Sequence, residues 1–170
     1  MKAIAVAAGL GLALAVASPA LAADALLGKL VGEWIGRGTM KLKPDSEPER
    51  VYCKITNTLA EDGKTLQQDG RCSLTSNSGR VDGTIIAEGG GRYSGSLNSL
   101  ASKGPATLSG KSSGNRVDLD ASFVDSLTGK PTTSVTTIEI ASDGYRLSSS
   151  RTNPADGKPY TASSIVFTKS

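Results

Sequence analysis

Across residues 51–74, apolar and polar side chains alternate on both sides of an Asp62-Gly63 pair. Alternation with a period of two marks strands buried on one face. Asp-Gly is the preferred pair for a two-residue type I′ hairpin loop, whose central positions both need positive φ. Placing Asp62 and Gly63 in that loop sets Leu59 against Leu66, Asn57 against Gln68, Ile55 against Gly70, Cys53 against Cys72 and Val51 against Leu74. These residues share one mostly apolar face. The other face sets Tyr52, Lys54, Thr56 and Thr58 against Ser73, Arg71, Asp69 and Gln67, and is polar throughout. One register therefore satisfies turn chemistry, burial and the approach of the two cysteines, the agreement expected of a specified structure.

The pattern continues along the chain. Residues 23–31 place Leu26, Leu27 and Leu30 on one side, with Asp24 near the start, and predict a short helix that docks its leucines on the core. A strand follows through "GEWIGRGTMKL", in which Trp34 shares a face with Gly36, Gly38 and Met40. Residues 80–87 and 91–98 pair through Glu88-Gly89-Gly90, and 106–112 and 115–124 pair near Ser113-Gly114. In the latter, Val117, Leu119, Ala121 and Phe123 alternate with Asp118, Asp120 and Ser122. Residues 133–142 and 145–152 pair about Asp143-Gly144, which sets Ile140 against Leu147, Ile138 against Ser149 and Thr136 against Arg151. A last strand covers 160–168. About ten short, evenly spaced strands predict an all-β antiparallel fold, and an up-and-down barrel leaves no open edge. Its tight glycine turns fall at one end, with Trp34 and the helix. Its longer loops fall at the other, with Arg151 on the inner face at that mouth.

The first residues set the compartment. Met1-Lys2, an apolar stretch over 3–16 and Ser18-Pro19-Ala20-Leu21-Ala22 read as a secretory signal peptide over 1–22, leaving 23–170 as one domain. The apolar run is short for a membrane span, which needs ~20 residues. A periplasmic or secreted location is expected, where Cys53 and Cys72 should form a structural disulfide; no Cys-x-x-Cys redox motif is present. Removing Lys2 with the signal lowers the formal net charge from +3 to +2, with the basic residues scattered, which does not favour nucleic acid as a partner.

The chain contains no histidine, which removes Ser-His-Asp and Cys-His catalysis and most zinc sites. "GPATLSGKS" at 104–112 imitates a phosphate-binding loop, but Gly104 stands one residue too far from Gly110-Lys111-Ser112. Asp118 and Asp120 share the polar face of a strand and read as a solvated pair. The polar outer face of the cysteine hairpin, with Lys54, Asp69 and Arg71, is the reverse of a lipid-facing barrel.

"GEWIGRG" at 32–38, after a short helix, resembles the Gly-x-Trp opening of the calycin superfamily. The added Gly36 and Gly38 are most similar to the Gly-x-Trp-x-Gly-x-Gly start of nitrobindin-like ten-stranded barrels. The mature chain also resembles a family of small exported proteobacterial proteins. They share this opening, an Glu-Arg-Val-x-Cys strand (here Glu49 to Cys53) and a following Gly-x-Cys (here Gly70 to Cys72). The resemblance implies a calycin-like barrel but not haem, since the axial histidine of nitrobindin-like proteins has no counterpart. No cofactor or metal is expected.

Two functional readings follow. In the first, the barrel binds a small apolar or amphipathic ligand without catalysis. Small or polar inner residues, among them Gly36, Gly38, Gly70, Gly83, Gly95 and Ser149, leave interior room, and Trp34, Met40, Asn57, Gln68 and Arg151 are the candidate contacts. Arg151 would meet a carboxylate or phosphate at the mouth. Trp34 also suits packing at the base, and Arg151 a structural role. In the second, the protein acts through its loops, 42–49 and 99–104, on a protein partner, as periplasmic inhibitors do.

Overall fold

The computed structural model describes residues 24–170; the expected signal peptide lies outside the described residues. A short helix, α1 (Ala25–Leu30), precedes ten strands: β1 (Gly32–Met40), β2 (Glu49–Leu59), β3 (Thr65–Ser73), β4 (Ser78–Gly89), β5 (Arg92–Asn98), β6 (Ala106–Ser113), β7 (Arg116–Val124), β8 (Pro131–Ile140), β9 (Gly144–Thr152) and β10 (Pro159–Lys169). Every strand pairs antiparallel with its neighbours in sequence, and β1 also pairs with β10, closing the barrel. The segment that imitates a phosphate loop supplies most of β6. Apolar side chains point inward, forming a core that runs from Leu27 and Leu30 under the barrel to Leu100 at its other end.

The cysteine hairpin has the expected register, with Cys53 opposite Cys72 and Leu59 opposite Leu66, and the two cysteines are bonded. Its loop differs. Ala60 N donates to Thr65 O (2.8 Å) and Gly63 N to Ala60 O (3.0 Å), so the loop spans four residues rather than two. Only Gly63 has positive φ, at 64°. Asp62 acts through its carboxylate instead, accepting from Lys64 N (2.8 Å), Thr65 N (2.9 Å) and Thr65 Oγ1 (2.7 Å). Loops of two and four residues about one centre produce the same pairing, so the register survives the change of turn.

The β8–β9 hairpin departs by two residues. Ala141 N donates to Gly144 O (2.8 Å), the loop is Ser142-Asp143, and Ile140 faces Tyr145, Ile138 faces Leu147 and Thr136 faces Ser149. Gly144 is a strand residue because β10 passes close by: a Cβ there would overlap the Phe167 carbonyl oxygen. An even shift keeps every side chain on its face; it sets Tyr145 opposite Ile140, where its ring stacks on Phe167, centroids 4.5 Å apart.

The inner glycines do not open space, contrary to the sequence-based expectation. A Cβ on Gly36 would strike the Phe167 ring, and one on Gly38, Gly70, Gly83 or Gly95 would strike a carbonyl oxygen of the adjoining strand. Their role is to let neighbouring strands approach closely.

One end is closed by turns at 60–64, 90–91, 114–115 and 141–143, with α1 tucked beneath. Asp24 caps that helix, accepting from Leu26 N (3.1 Å) and Leu27 N (3.0 Å), and its own N–H donates to Gly63 O (2.8 Å). The Tyr93 hydroxyl, 3.2 Å from both Asp24 carboxylate oxygens, ties the helix to β5. The opposite end carries the longer loops 41–48, 74–77, 99–105, 125–130 and 153–158.

Candidate functional site

The barrel interior holds a cavity of about 160 Å³. Its wall is largely aliphatic, with Ile55, Leu108, Leu119, Ile138 and Ile165 among the contributors, and the Cys53–Cys72 disulfide forms part of it. Polar groups interrupt the wall sparingly. Thr136 and Ser149, opposed on β8 and β9, satisfy one another through their hydroxyls at 2.9 Å. Gln68, Thr84, Ser99, Ser134 and Ser163 add to the polar lining, and Met40 and Lys41 lie where β1 reaches the loop-rich end.

That mouth is partly covered. Leu100 and Ala101 of the 99–105 loop line the cavity, and Leu100 is buried. Ser126 N donates to Ala101 O (3.0 Å) and Ser126 Oγ to Leu100 O (3.0 Å), joining this loop to the 125–130 loop. The joined loops are anchored by Asp125, only 3% exposed. Its Oδ1 accepts from Leu127 N (3.1 Å), Thr128 N (2.9 Å) and Thr128 Oγ1 (3.0 Å), while Oδ2 accepts from Arg151 Nη2 at 2.5 Å. Burial alone would raise the Asp125 pKa, but the Arg151 and Thr128 hydrogen bonds outweigh it and hold the carboxyl below its usual range. The Arg151 guanidinium also lies 5.4 Å from the Phe123 ring centroid.

A family model described as "Protein of unknown function (DUF1579)" matches residues 20–169. The chain belongs to the DUF1579 family. No curated protein matches it.

In this DUF1579 barrel, three of the five candidate contact residues, Met40, Gln68 and Arg151, line the cavity. The other two, Trp34 and Asn57, sit in the floor beneath it. Trp34 Nε1 donates to Leu30 O (2.8 Å) and Asn57 Nδ2 to the same oxygen (3.0 Å), so both cap the last helical carbonyl of α1. Trp34 also meets Tyr145 edge-on at 5.0 Å, and Lys169 Nζ lies 4.0 Å from its ring centroid. Burial pushes the Tyr145 hydroxyl well above its ordinary pKa; the Asn57 side chain opposes that shift, although Asn57 Oδ1 lies outside hydrogen-bonding geometry with any donor among the described residues.

Asp125 is the residue that sequence reasoning missed. Its signal lay in the likeness of "DSLTGKP" at 125–131 to "NPADGKP" at 153–159. The two loops fold alike. Gly129 N donates to Asp125 O and Gly157 N to Asn153 O, each at 2.9 Å, and both glycines have positive φ. Asp125 and Asn153 each fold the chain back with their own side chain, bonding Leu127 N and Ala155 N. Only the first loop carries a charge at that position, and it meets Arg151.

Proposed function

We propose that this DUF1579 barrel is an exported, calycin-like, non-catalytic binding protein that takes a compact, largely apolar molecule into its interior. The cavity of about 160 Å³ with aliphatic walls carries the reading. An apolar cavity of about 150 Å³ in a protein core accepts a benzene-sized guest, whereas drug-sized ligands use about 300–1,000 Å³. The disulfide fits an oxidising compartment. No helix among the described residues is long and apolar enough to cross a membrane.

The polar end of the ligand need not be anionic. Asp125 already neutralises Arg151, and an incoming carboxylate would face the Asp125 carboxylate as well as the guanidinium. A neutral guest, or one with a single hydroxyl meeting Thr136, Ser149 or Gln68, suits the lining better. Binding without chemistry also accords with a chain that has no histidine and hence no imidazole base.

The test is native mass spectrometry of protein purified from an exporting host, followed by denaturing extraction of any retained molecule. In parallel, NMR titration with benzene and hexanol should shift the methyl groups of Leu108, Leu119 and Ile138. Ala121→Phe, which fills the cavity from β7, should abolish those shifts. A protein that emerges empty and responds to neither probe would sink the ligand reading in favour of a protein partner engaged through the loops.

A further inference from the structure

The outer wall is electrically lopsided. On β9, β10, β1, β2 and β3, the outward positions carry Arg146, Arg37, Arg50, Lys54 and Arg71 against only Glu33 and Asp69. Asp69 is engaged by Arg80 of β4 at 2.9 Å, and none of the five cations forms an ion pair among the described residues. On β5 to β8 the outward charges balance: Arg92, Lys111 and Arg116 against Asp118, Asp120 and Glu139; β4, between the two walls, carries Arg80 against Asp82 and Glu88. There, Arg116 bridges Asp118 at 2.7 Å and Glu139 at 3.8 Å.

Register gathers the cations into rows. Arg146, Val166, Arg37 and Tyr52 lie side by side on β9, β10, β1 and β2. In the next row Lys54 faces Arg71, which faces Arg80. Arg80 is offset by Asp69 and Asp82, but like charges directly opposed across strands destabilise a sheet, so the Lys54–Arg71 pair is carried at a cost. Amid the cations, Tyr52 and Val166 are 38% and 41% exposed, and the Arg37 guanidinium lies 5.4 Å from the Tyr52 ring centroid.

We propose that this wall docks the barrel against an anionic lipid surface. The wall is the convex outside of a closed barrel. Its hollows, one beside Arg37, Arg50 and Tyr52 and the other beside Arg146 and Val166 with Glu139 at its far side, are open to solvent. A folded protein partner needs a matched shape. Phosphate headgroups are mobile anions that rearrange beneath fixed cations set on strands ~4.8 Å apart. Arginine, the majority here, suits phosphate by its fork of donors. An exposed tyrosine and valine among cations suit the headgroup boundary, where amphipathic side chains settle. The inference does not depend on the interior ligand.

The experiment is cosedimentation of the oxidised protein with vesicles of equimolar phosphatidylglycerol and phosphatidylcholine, and with vesicles of phosphatidylcholine alone, at low and high salt. Binding is expected to the anionic vesicles only and to weaken with salt. Each cation contributes roughly a fivefold factor at such a surface. The double variant R37Q/K54Q should therefore bind roughly 25-fold more weakly, while R92Q/K111Q on the opposite wall stays within about twofold of the unaltered protein. Cooperative unfolding at melting temperatures no lower than that of the unaltered protein establishes that both variants are folded. Three results would overturn the proposal: no binding to anionic vesicles at low salt, equal losses for the two variants, or polyglutamate displacing the protein from the vesicles at a residue-equivalent concentration below that of the lipid phosphate.

Discussion

Arg151 on β9 and Asp125, the first residue of the loop after β7, form an ion pair at 2.5 Å across the barrel mouth, with side chains only 10% and 5% exposed. The pair joins the wall to the loop that covers the cavity. Its two members are not equivalent. Asp125 holds three donors of its own loop besides Arg151, whereas Arg151 has Asp125 alone as an ionic partner.

Asp125→Ala strands a nearly buried guanidinium and releases the loop. Breaking a buried pair in this way costs ~3–5 kcal/mol, which lowers Tm by roughly 10 °C in a domain of this size. Arg151→Met keeps the packing on Phe123 and leaves Asp125 bonded within its loop, so it should cost less. The double variant D125A/R151M should lose less than the sum of the two. Thermal unfolding followed by circular dichroism checks all three; additive losses would show that the two residues act independently.

The same pair sets a pH dependence. Asp125 has a folded pKa below its unfolded value, which is ~3.9. The unfolded chain therefore takes up the proton first as the solution is acidified. The stabilisation is full above about pH 4 and is lost as pH falls through the folded pKa. Urea unfolding midpoints should hold level through mildly acidic pH and decline below about pH 4, less steeply in R151M. Asp62 and Asp118, also held low by hydrogen bonds, act in the same direction but stand in solvent.

The disulfide closes a chain separation of 19 residues. Limiting the unfolded chain over such a loop contributes ~3 kcal/mol. The C53S/C72S variant should keep the barrel's circular dichroism spectrum and melt at a lower temperature. Thiol labelling of the untreated protein should find no reactive cysteine until it is unfolded under reducing conditions.

Trp34 is the sole tryptophan and 3% exposed, so native fluorescence should be blue-shifted and report on the floor alone. Trp34→Phe removes one of two donors to Leu30 O, and Asn57→Ala the other. Each should cost about 1 kcal/mol through the hydrogen bond, in addition to lost packing. The double variant leaves a buried carbonyl with neither donor and should cost more than the two single losses combined. Additivity would show that Leu30 O finds water instead.

Much of the barrel was legible because strand alternation and turn residues are local signals. The Cys53–Cys72 register could be read from residues 51–74 because an alternating pattern allows few pairings once one face must be buried. The β8–β9 register was misread because Gly144 has two possible uses. Nothing near it in sequence distinguishes a turn glycine from one admitting the backbone of β10. The candidate site was half legible. Inward parity brought Met40, Gln68 and Arg151 to the cavity, but parity does not give depth, and Trp34 and Asn57 went to the floor.

The amino-acid sequence by itself determined the strands, their alternating faces, the cysteine pairing and which end of the meander is tight. Each depends on neighbours within a hairpin, where side-chain period and turn chemistry decide. Only the tertiary structure decided that the inner glycines seat neighbouring strands, that about 160 Å³ remains inside, and that Arg151 is claimed by Asp125. These depend on closure, which brings together β1 and β10, and loop and wall, at distances along the chain that no local pattern encodes.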